Sequence, residues 1–188
     1  LQRVVKAAAS LDPDKLMSYQ SHWMHKLPAD ERLAGCVAML VKAKLLPDDP
    51  NAETLDRVRK VVSLAADRLR VFGDILGMDE FFVSADTLQF NEKEFQKRVV
   101  KPDTALDLLA ALRKKLAEQE SFTAEPLHDL VQAFVEEQQI KFGQIAPALR
   151  LSVTGKAKGA DLFPTLELLG KEECLQRIDR AIGMAEAG

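Results

Sequence analysis

Three cationic residues lie within or close to one glycine-bounded loop in the sequence, in residues 143–163. Arg150 interrupts an apolar run, and Lys156 and Lys158 lie in a short loop that begins at Gly155. Glycine lets the backbone approach a ligand, helix N-termini offer free N–H groups, and cations attract phosphate. The stretch therefore predicts an anion-binding loop between two helices.

The elements that must position this loop follow from proline, glycine and apolar spacing. Pro147 is expected to interrupt one apolar run, and Gly155 to end the next. Leu162 and Phe163 open a further helical pattern, which Gly170 closes. Ordinary helix packing does not account for the segment between them, and this favours a binding role.

Elsewhere the sequence gives no sign of a catalytic or metal site. His22 and His25 share a helix face, but no acidic or sulfur ligand is placed beside them, so we expect no metal ion there. The sequence has no Gly-x-x-x-x-Gly-Lys and no Gly-x-Ser-x-Gly motif. Eight carboxylates have no neighbour that singles them out for acid–base work, and we expect them on solvated helix surfaces: Asp12, Asp14, Asp30, Glu31, Asp48, Asp49, Asp79 and Glu80.

The arginines leave alternatives open. Arg68 and Arg70 have the spacing of surface residues whose stems lie along a helix. Arg150 lies within an apolar run, so we expect it to be at least half-buried and to need an acceptor. That acceptor is either a protein carboxylate or a ligand.

Composition narrows the class of protein. With 188 residues, the chain is long enough for one domain or two small ones, and its net charge of −3 excludes a globally basic nucleic-acid binder but not a local basic patch. Cys36 and Cys174 match no zinc or redox spacing, which favours a reduced, cytoplasmic setting. No apolar run approaches the ~20 residues of a membrane span, so we expect no membrane partner. Because the chain begins with Leu1, we expect a fragment of a longer protein.

Helical periodicity runs through the whole chain, and no stretch sustains the alternation of a half-buried strand, so the predicted fold class is all-α. Asp12 and Pro13 predict the start of a first helix, and Pro28 the start of a second. Residues 46–51 form a loop, and a long helix is predicted over 51–71.

The second half begins after a connector at residues 84–90. Asn91 and Glu94 have the spacing of a capping box. An amphipathic helix is predicted over 102–118, and Thr123 is expected to cap the helix that follows.

The last part of the chain resembles a known family. Residues 143–182 resemble the C-terminal anticodon-binding region of bacterial-type or organellar glutamyl-tRNA synthetases. The agreement includes, in order, Arg-Leu-Ser-Val-Thr-Gly at 150–155, Leu-Phe at 162–163 and Leu-Leu-Gly-Lys-Glu at 168–172. Leu-Asp-Pro-Asp-Lys-Leu at 11–16 resembles the segment that leads out of the catalytic part of that family. Residues 68–82 agree more loosely.

The resemblance implies two consecutive small helical bundles that form a cage for unstacked anticodon bases. Residues 1–27 would lead out of a missing catalytic part, 28–90 would form the first bundle and 91–188 the second. These divisions are expectations from the family, and the residues alone do not fix them.

The resemblance also implies particular contacts. Arg150 matches the family's motif arginine, and Leu162 matches an apolar residue that packs against an anticodon base. Either Arg68 or Arg70 would read the first anticodon base. The other implied contacts are Thr154, Gly155, Gly159 and Ala160, with Lys156 and Lys158 on the RNA backbone. The family often has Thr-Pro where this chain has Gly159-Ala160.

The parent protein implied by the resemblance is a glutamate–tRNA ligase that uses ATP with magnesium. This chain would bind glutamate-accepting tRNA through the anticodon, hold no cofactor and catalyse nothing, because it lacks a nucleotide-binding fold. We expect a monomer in the cytoplasm that works with the missing N-terminal catalytic domain. The alternative is a helical protein–protein interaction domain that binds no nucleic acid.

Overall fold

The structure is a computed structural model that describes residues 12–65 and 68–187, and in these ranges it is helical and contains no strand. The all-α prediction is confirmed. The helices are α1 Pro13–Lys26, α2 Ala29–Lys42, α3 Ala52–Ala65, α4 Glu92–Phe95, α5 Ala105–Glu118, α6 Ala124–Glu137, α7 Phe142–Thr154, α8 Leu162–Leu169 and α9 Lys171–Ala187.

Short polar side chains begin three of these helices by accepting the free amide hydrogens of the first turn. The Asp12 carboxylate accepts from the amide of Asp14 at 3.0 Å, as the sequence predicts. Asn91 accepts from the amide of Glu94 at 3.0 Å at the start of α4, which is one half of the predicted capping box. Asn51 caps α3 in the same way.

The prediction of one helix over 51–71 is wrong, because α3 ends at Ala65. The chain bends instead: the Asp74 carboxylate accepts the amide hydrogens of Arg70 at 2.7 Å and Val71 at 3.0 Å, so these amides do not bond back along a helix. A run of 3₁₀ turns, Phe72–Phe81, follows.

One predicted helix start and one predicted capping bond in the second half are also wrong. The helix predicted from residue 102 begins at Ala105, because Pro102 and the π-helical turn Gln96–Val100 come first. Thr123 precedes α6, but its side chain makes no capping bond. The Glu167 carboxylate takes that role and accepts the first amide of α6, from Ala124, at 2.7 Å.

Helix α7 runs unbroken through Pro147, so the predicted interruption is wrong. A proline removes the bond from its own amide to the carbonyl four residues back, which here belongs to Gly143. Gly143 lies in the exposed first turn, where solvent can satisfy its carbonyl. The buried residues beyond it, such as Ile145 and Leu149, keep the helix packed.

The buried apolar side chains of both halves form one continuous core, which runs from Met24 in α1 to Ala181 in α9. Cys36 and Cys174 are buried and carry free thiols. No helix in the described ranges is long and apolar enough to cross a membrane. The division into residues 1–27, 28–90 and 91–188 stays a prediction, and its first part lies partly outside the described residues.

Candidate nucleic-acid interface

The end of α7 is fixed by one glycine. Gly155 has a φ of 71°, a left-handed conformation that ends the helix, and its amide donates to the Leu151 carbonyl at 2.8 Å. A Cβ at this position would lie 2.0 Å from the Gln89 carbonyl oxygen. The Gly155 carbonyl accepts from the amide of Asn91 at 2.8 Å. Gly155 therefore holds the loop after α7 tightly against residues 89–91.

Thr154 shapes the same turn from inside the protein. Its buried hydroxyl donates to the Arg150 carbonyl at 2.8 Å and lies 3.2 Å from the amide of Lys156. In this conformation Thr154 and Gly155 set the course of the loop, and neither presents a free polar group outward.

Arg150 is half-buried, as the sequence predicts, and its acceptor is a backbone carbonyl. Its Nη1 donates to the Ala160 carbonyl at 2.6 Å, which fixes the side chain across the loop. Burial lowers the pKa of the Arg150 guanidinium, and the charge of Arg68 lowers it further, while the carboxylates of Asp161 and Glu80 act in the opposite direction. The loop thus holds a partly desolvated guanidinium, which has further N–H donors that a ligand could use.

A cleft of about 260 Å³ lies against this arginine. Its wall is mostly apolar, with Leu162 at the first turn of α8 and only 7% exposed. The lining residues are Arg98, Phe142, Ala146, Pro147, Arg150, Ala157 and Leu162. The structure therefore brings together the two residues, Arg150 and Leu162, that the sequence assigned to base contact.

Arg68 and Arg70 are both exposed but lie in different surroundings. Arg68 is near enough to lower the pKa of Arg150. Arg70 lies 3.9 Å from the Asp74 carboxylate and lines a separate groove with His22 and His25 of α1. Of the two, Arg68 therefore lies closer to the Arg150 cleft.

Lys156 and Lys158 also differ. The Lys156 ammonium donates to the Gly77 carbonyl at 2.6 Å and pairs with the carboxylates of Asp79 and Glu80. Lys158 is exposed and has no ion-pair partner within the described residues. Lys156 thus ties the loop to the 3₁₀ segment, whereas Lys158 is available to a ligand.

The expectation that Glu80 is solvated is wrong, since this residue is 3% exposed. Its carboxylate pairs with Lys156, and its backbone carbonyl accepts from Nη2 of Arg177 at 2.9 Å. Asp79 keeps a half-exposed carboxylate on the same lysine.

Sequence reasoning missed Arg177, which is 1% exposed at the centre of this arrangement. Its guanidinium donates to three carbonyls, those of Val153 at 2.6 Å, Glu80 at 2.9 Å and Val83 at 2.7 Å. Its Nε bonds Glu173 at 2.7 Å. The four-residue spacing of Glu173 and Arg177 was the one available signal, and it is equally typical of a surface pair.

Gly159 and Ala160 complete the loop. Ala160 is buried and supplies the carbonyl that holds Arg150. A Cβ at Gly159 would lie 3.5 Å from Nη1 of Arg150, an ordinary contact. Both residues therefore support the arginine, and Gly159 packs beside its guanidinium.

Comparisons with known proteins identify the family of this chain. A family model described as "Anticodon binding domain" matches residues 31–182. A glutamate–tRNA ligase of Moorella thermoacetica is 30% identical over 181 residues, which are 96% of this chain and 36% of that protein. The glutamate–tRNA ligase of Geobacter sulfurreducens is 31% identical over 186 residues, 99% of this chain and 38% of that protein.

A solved structure has the same fold. The crystal structure of a glutamate tRNA ligase from Elizabethkingia meningosepticum in complex with its amino acid superposes with a TM-score of 0.78 and 23% identity, over 95% of this chain and 34% of that one. The chain thus spans little more than a third of the length of these relatives. The resemblance found in residues 143–182 is confirmed. Since the family model covers most of the length of this chain, the chain belongs to the anticodon binding domain family.

Proposed function

We propose that this chain recognises the anticodon of a tRNA. The observation that carries the proposal is the cleft in which a half-buried cation, Arg150, faces an apolar wall that includes Leu162. RNA-binding proteins read sequence mostly in unpaired loops, whose bases can be splayed out, packed against side chains and hydrogen-bonded at their edges. A guanidinium offers paired donors to such an edge.

The positive side chains near the cleft suit a local contact with RNA. The net charge of −3 disfavours broad attachment to a phosphate backbone, whereas Arg68 and Arg150 lie close enough for the charge of one to act on the other. In this proposal Arg150 and Leu162 hold a base, Arg68 reads a neighbouring base, and Lys158 attracts the backbone.

The remaining predicted contacts take supporting roles in the proposal. Thr154, Gly155 and Ala160 are held inside the protein and fix the path of the loop. Lys156 is engaged by carboxylates, so we assign it to holding the loop in place rather than to the RNA backbone.

For the longer protein, we infer a glutamate–tRNA ligase that works as a monomer in the cytoplasm and uses ATP with magnesium. The glutamate–tRNA ligases that match nearly all of this chain support the ligase assignment. The ligase chemistry would belong to an N-terminal catalytic domain, and this chain would contribute recognition of glutamate-accepting tRNA without catalysing the reaction alone.

The test is a titration of the chain with an anticodon stem-loop of glutamate tRNA, followed by fluorescence anisotropy at moderate salt. Arg150→Ala should weaken binding about tenfold, the scale of one lost paired contact to a base. Lys114→Ala is the matched control, because Lys114 is exposed on α5 and lines no part of the cleft.

Two outcomes count against the proposal. If Arg150→Ala binds as well as Lys114→Ala, the cleft does not contact the loop. If the wild-type chain binds the stem-loop no better than an unrelated hairpin, the alternative of a protein–protein interaction domain is favoured.

A further inference from the structure

A second guanidinium, that of Arg98, lines the cleft beside Arg150. Its Nε lies 3.3 Å from the Glu94 carboxylate, four residues earlier in the chain. Within the described residues, its two Nη nitrogens have no hydrogen-bond partner, and the side chain is half-exposed. Arg98 is therefore braced on one edge and has its fork of donors free on the other.

The backbone that carries Arg98 departs from an α-helix. Residues Gln96–Val100 form a π-helical turn, in which the amide of Lys101 donates to the Gln96 carbonyl at 2.9 Å. Val99 in this turn and Phe95 just before it are buried in the core. Single π-helical turns inside helices are uncommon and occur frequently at functional sites.

The cleft also offers an aromatic face. Phe142 is 40% exposed and, outside α1, is the only exposed Phe, Tyr or Trp among the described residues. It lies at the first turn of α7, with its ring centroid 6.1 Å from that of Phe163. Exposed aromatic rings beside cations are typical of surfaces on which unpaired bases stack.

The size and the charge of the cleft point to one kind of occupant. About 260 Å³ is less than the ~300–1,000 Å³ of pockets that enclose drug-sized ligands, so a single nucleobase suits it. Within the described residues, Arg150 binds only a carbonyl and Arg98 faces one carboxylate. The lining holds two guanidinium groups and no carboxylate, while Asp161 and Glu80 act on Arg150 from outside it. The unused guanidinium donors favour a flat ligand rich in acceptors.

We propose that Arg98 is a second specificity-determining residue, which holds the same unpaired nucleotide as Arg150 while the base lies against Phe142. This inference rests on the proposed anticodon recognition and adds the residue and the shared nucleotide. In this proposal the acceptor is the edge of the base and not the adjacent phosphate, and removal of the base tests this.

The experiment uses the 188-residue chain and four anticodon stem-loops, one intact and three with an abasic nucleotide at one anticodon position each. Arg98→Ala should weaken binding of the intact loop about tenfold. Lys97→Ala is the matched control, because Lys97 is the exposed neighbour of Arg98 on the same turn and lines no part of the cleft. It should lose about twofold or less.

The abasic loops identify the nucleotide that Arg98 contacts. At one anticodon position, removal of the base should abolish the effect of Arg98→Ala and of Arg150→Ala together. Arg98→Lys keeps the charge but loses the fork, so its affinity should stay near that of Arg98→Ala. Arg98→Lys also serves as the folded variant if alanine disturbs the π-helical turn.

Three results would overturn the inference. In the first, Arg98→Ala loses no more affinity than Lys97→Ala. In the second, Arg98→Ala loses the same factor on all three abasic loops, which indicates general attraction to the backbone. In the third, Arg98 and Arg150 depend on different positions. A wild-type chain that does not prefer the intact stem-loop to an unrelated hairpin instead refutes the proposed function itself.

Discussion

Replacing Gly155 with alanine should destabilise this protein more than the same change at Gly170. Both glycines have positive φ, 71° at Gly155 and 84° at Gly170. A Cβ at Gly170 meets nothing within 4 Å, whereas a Cβ at Gly155 would lie 2.0 Å from the Gln89 carbonyl oxygen. The pair therefore compares backbone strain alone at Gly170, whose ψ of 161° lies in a region nearly confined to glycine, with strain and a steric clash together at Gly155.

The magnitudes follow from these two contributions. Alanine at a strained positive-φ position costs about 1–3 kcal/mol, which is the whole expected effect of Gly170→Ala. Gly155→Ala adds the displacement of the Gln89 backbone and the loss of the 2.8 Å bond between the Asn91 amide and the Gly155 carbonyl. That addition costs about 2 kcal/mol more, or roughly 6 °C in Tm for a chain of this size.

Thermal unfolding followed by circular dichroism measures both variants directly. Gly155→Ala should also impair RNA binding, because Arg150 precedes Gly155 by little more than one helical turn. A Tm for Gly155→Ala at or above that of Gly170→Ala would refute the assignment of Gly155 as a close contact between the two halves.

Three further predictions follow from buried or paired groups. In a denaturant titration, Arg177→Met should lower the free energy of unfolding by about 3–5 kcal/mol, because three buried carbonyls lose their donor. Arg180→Met should lower it by less, because Arg180 is half-buried and donates to two carbonyls. Lys158→Met should reduce the slope of log affinity against log salt by about 0.7, whereas Lys156→Met should leave the slope unchanged and lower Tm by unpairing Glu80. Burial raises the pKa of Cys174 from 9.0 to about 12. As the pH rises above about 9, the unfolded chain therefore loses this thiol proton while the folded chain keeps it, and the free energy of unfolding falls. Cys174→Ala should reduce that fall when unfolding is measured across this pH range.

Local signals in the sequence predicted much of the fold. The helix caps at Asp12 and Asn91 are set by residues within one turn, so their types and spacing were sufficient. The end of α7 at Gly155 was predicted for the same reason. The end of α3 was not, because the apolar stripe continues to Leu69 while the Asp74 carboxylate turns the chain.

From the sequence, the candidate site was predicted only for residues that belong to the family motif. Arg150 and Leu162 were identified and share one cleft. Arg177 and Glu80 were missed, because Arg177 finds its carbonyl partners up to 97 residues away and periodicity does not reveal such contacts. Arg98 was missed because the π-helical turn that presents it has no signature in residue type.

Anticodon recognition is tested most directly by comparing the affinity of the chain for two hairpins that differ only in their loops. The chain should bind the anticodon stem-loop of glutamate tRNA at least about tenfold more tightly than a hairpin with the same stem and a scrambled loop, measured at equal salt. Equal affinity for the two hairpins would contradict anticodon recognition by the Arg150 cleft.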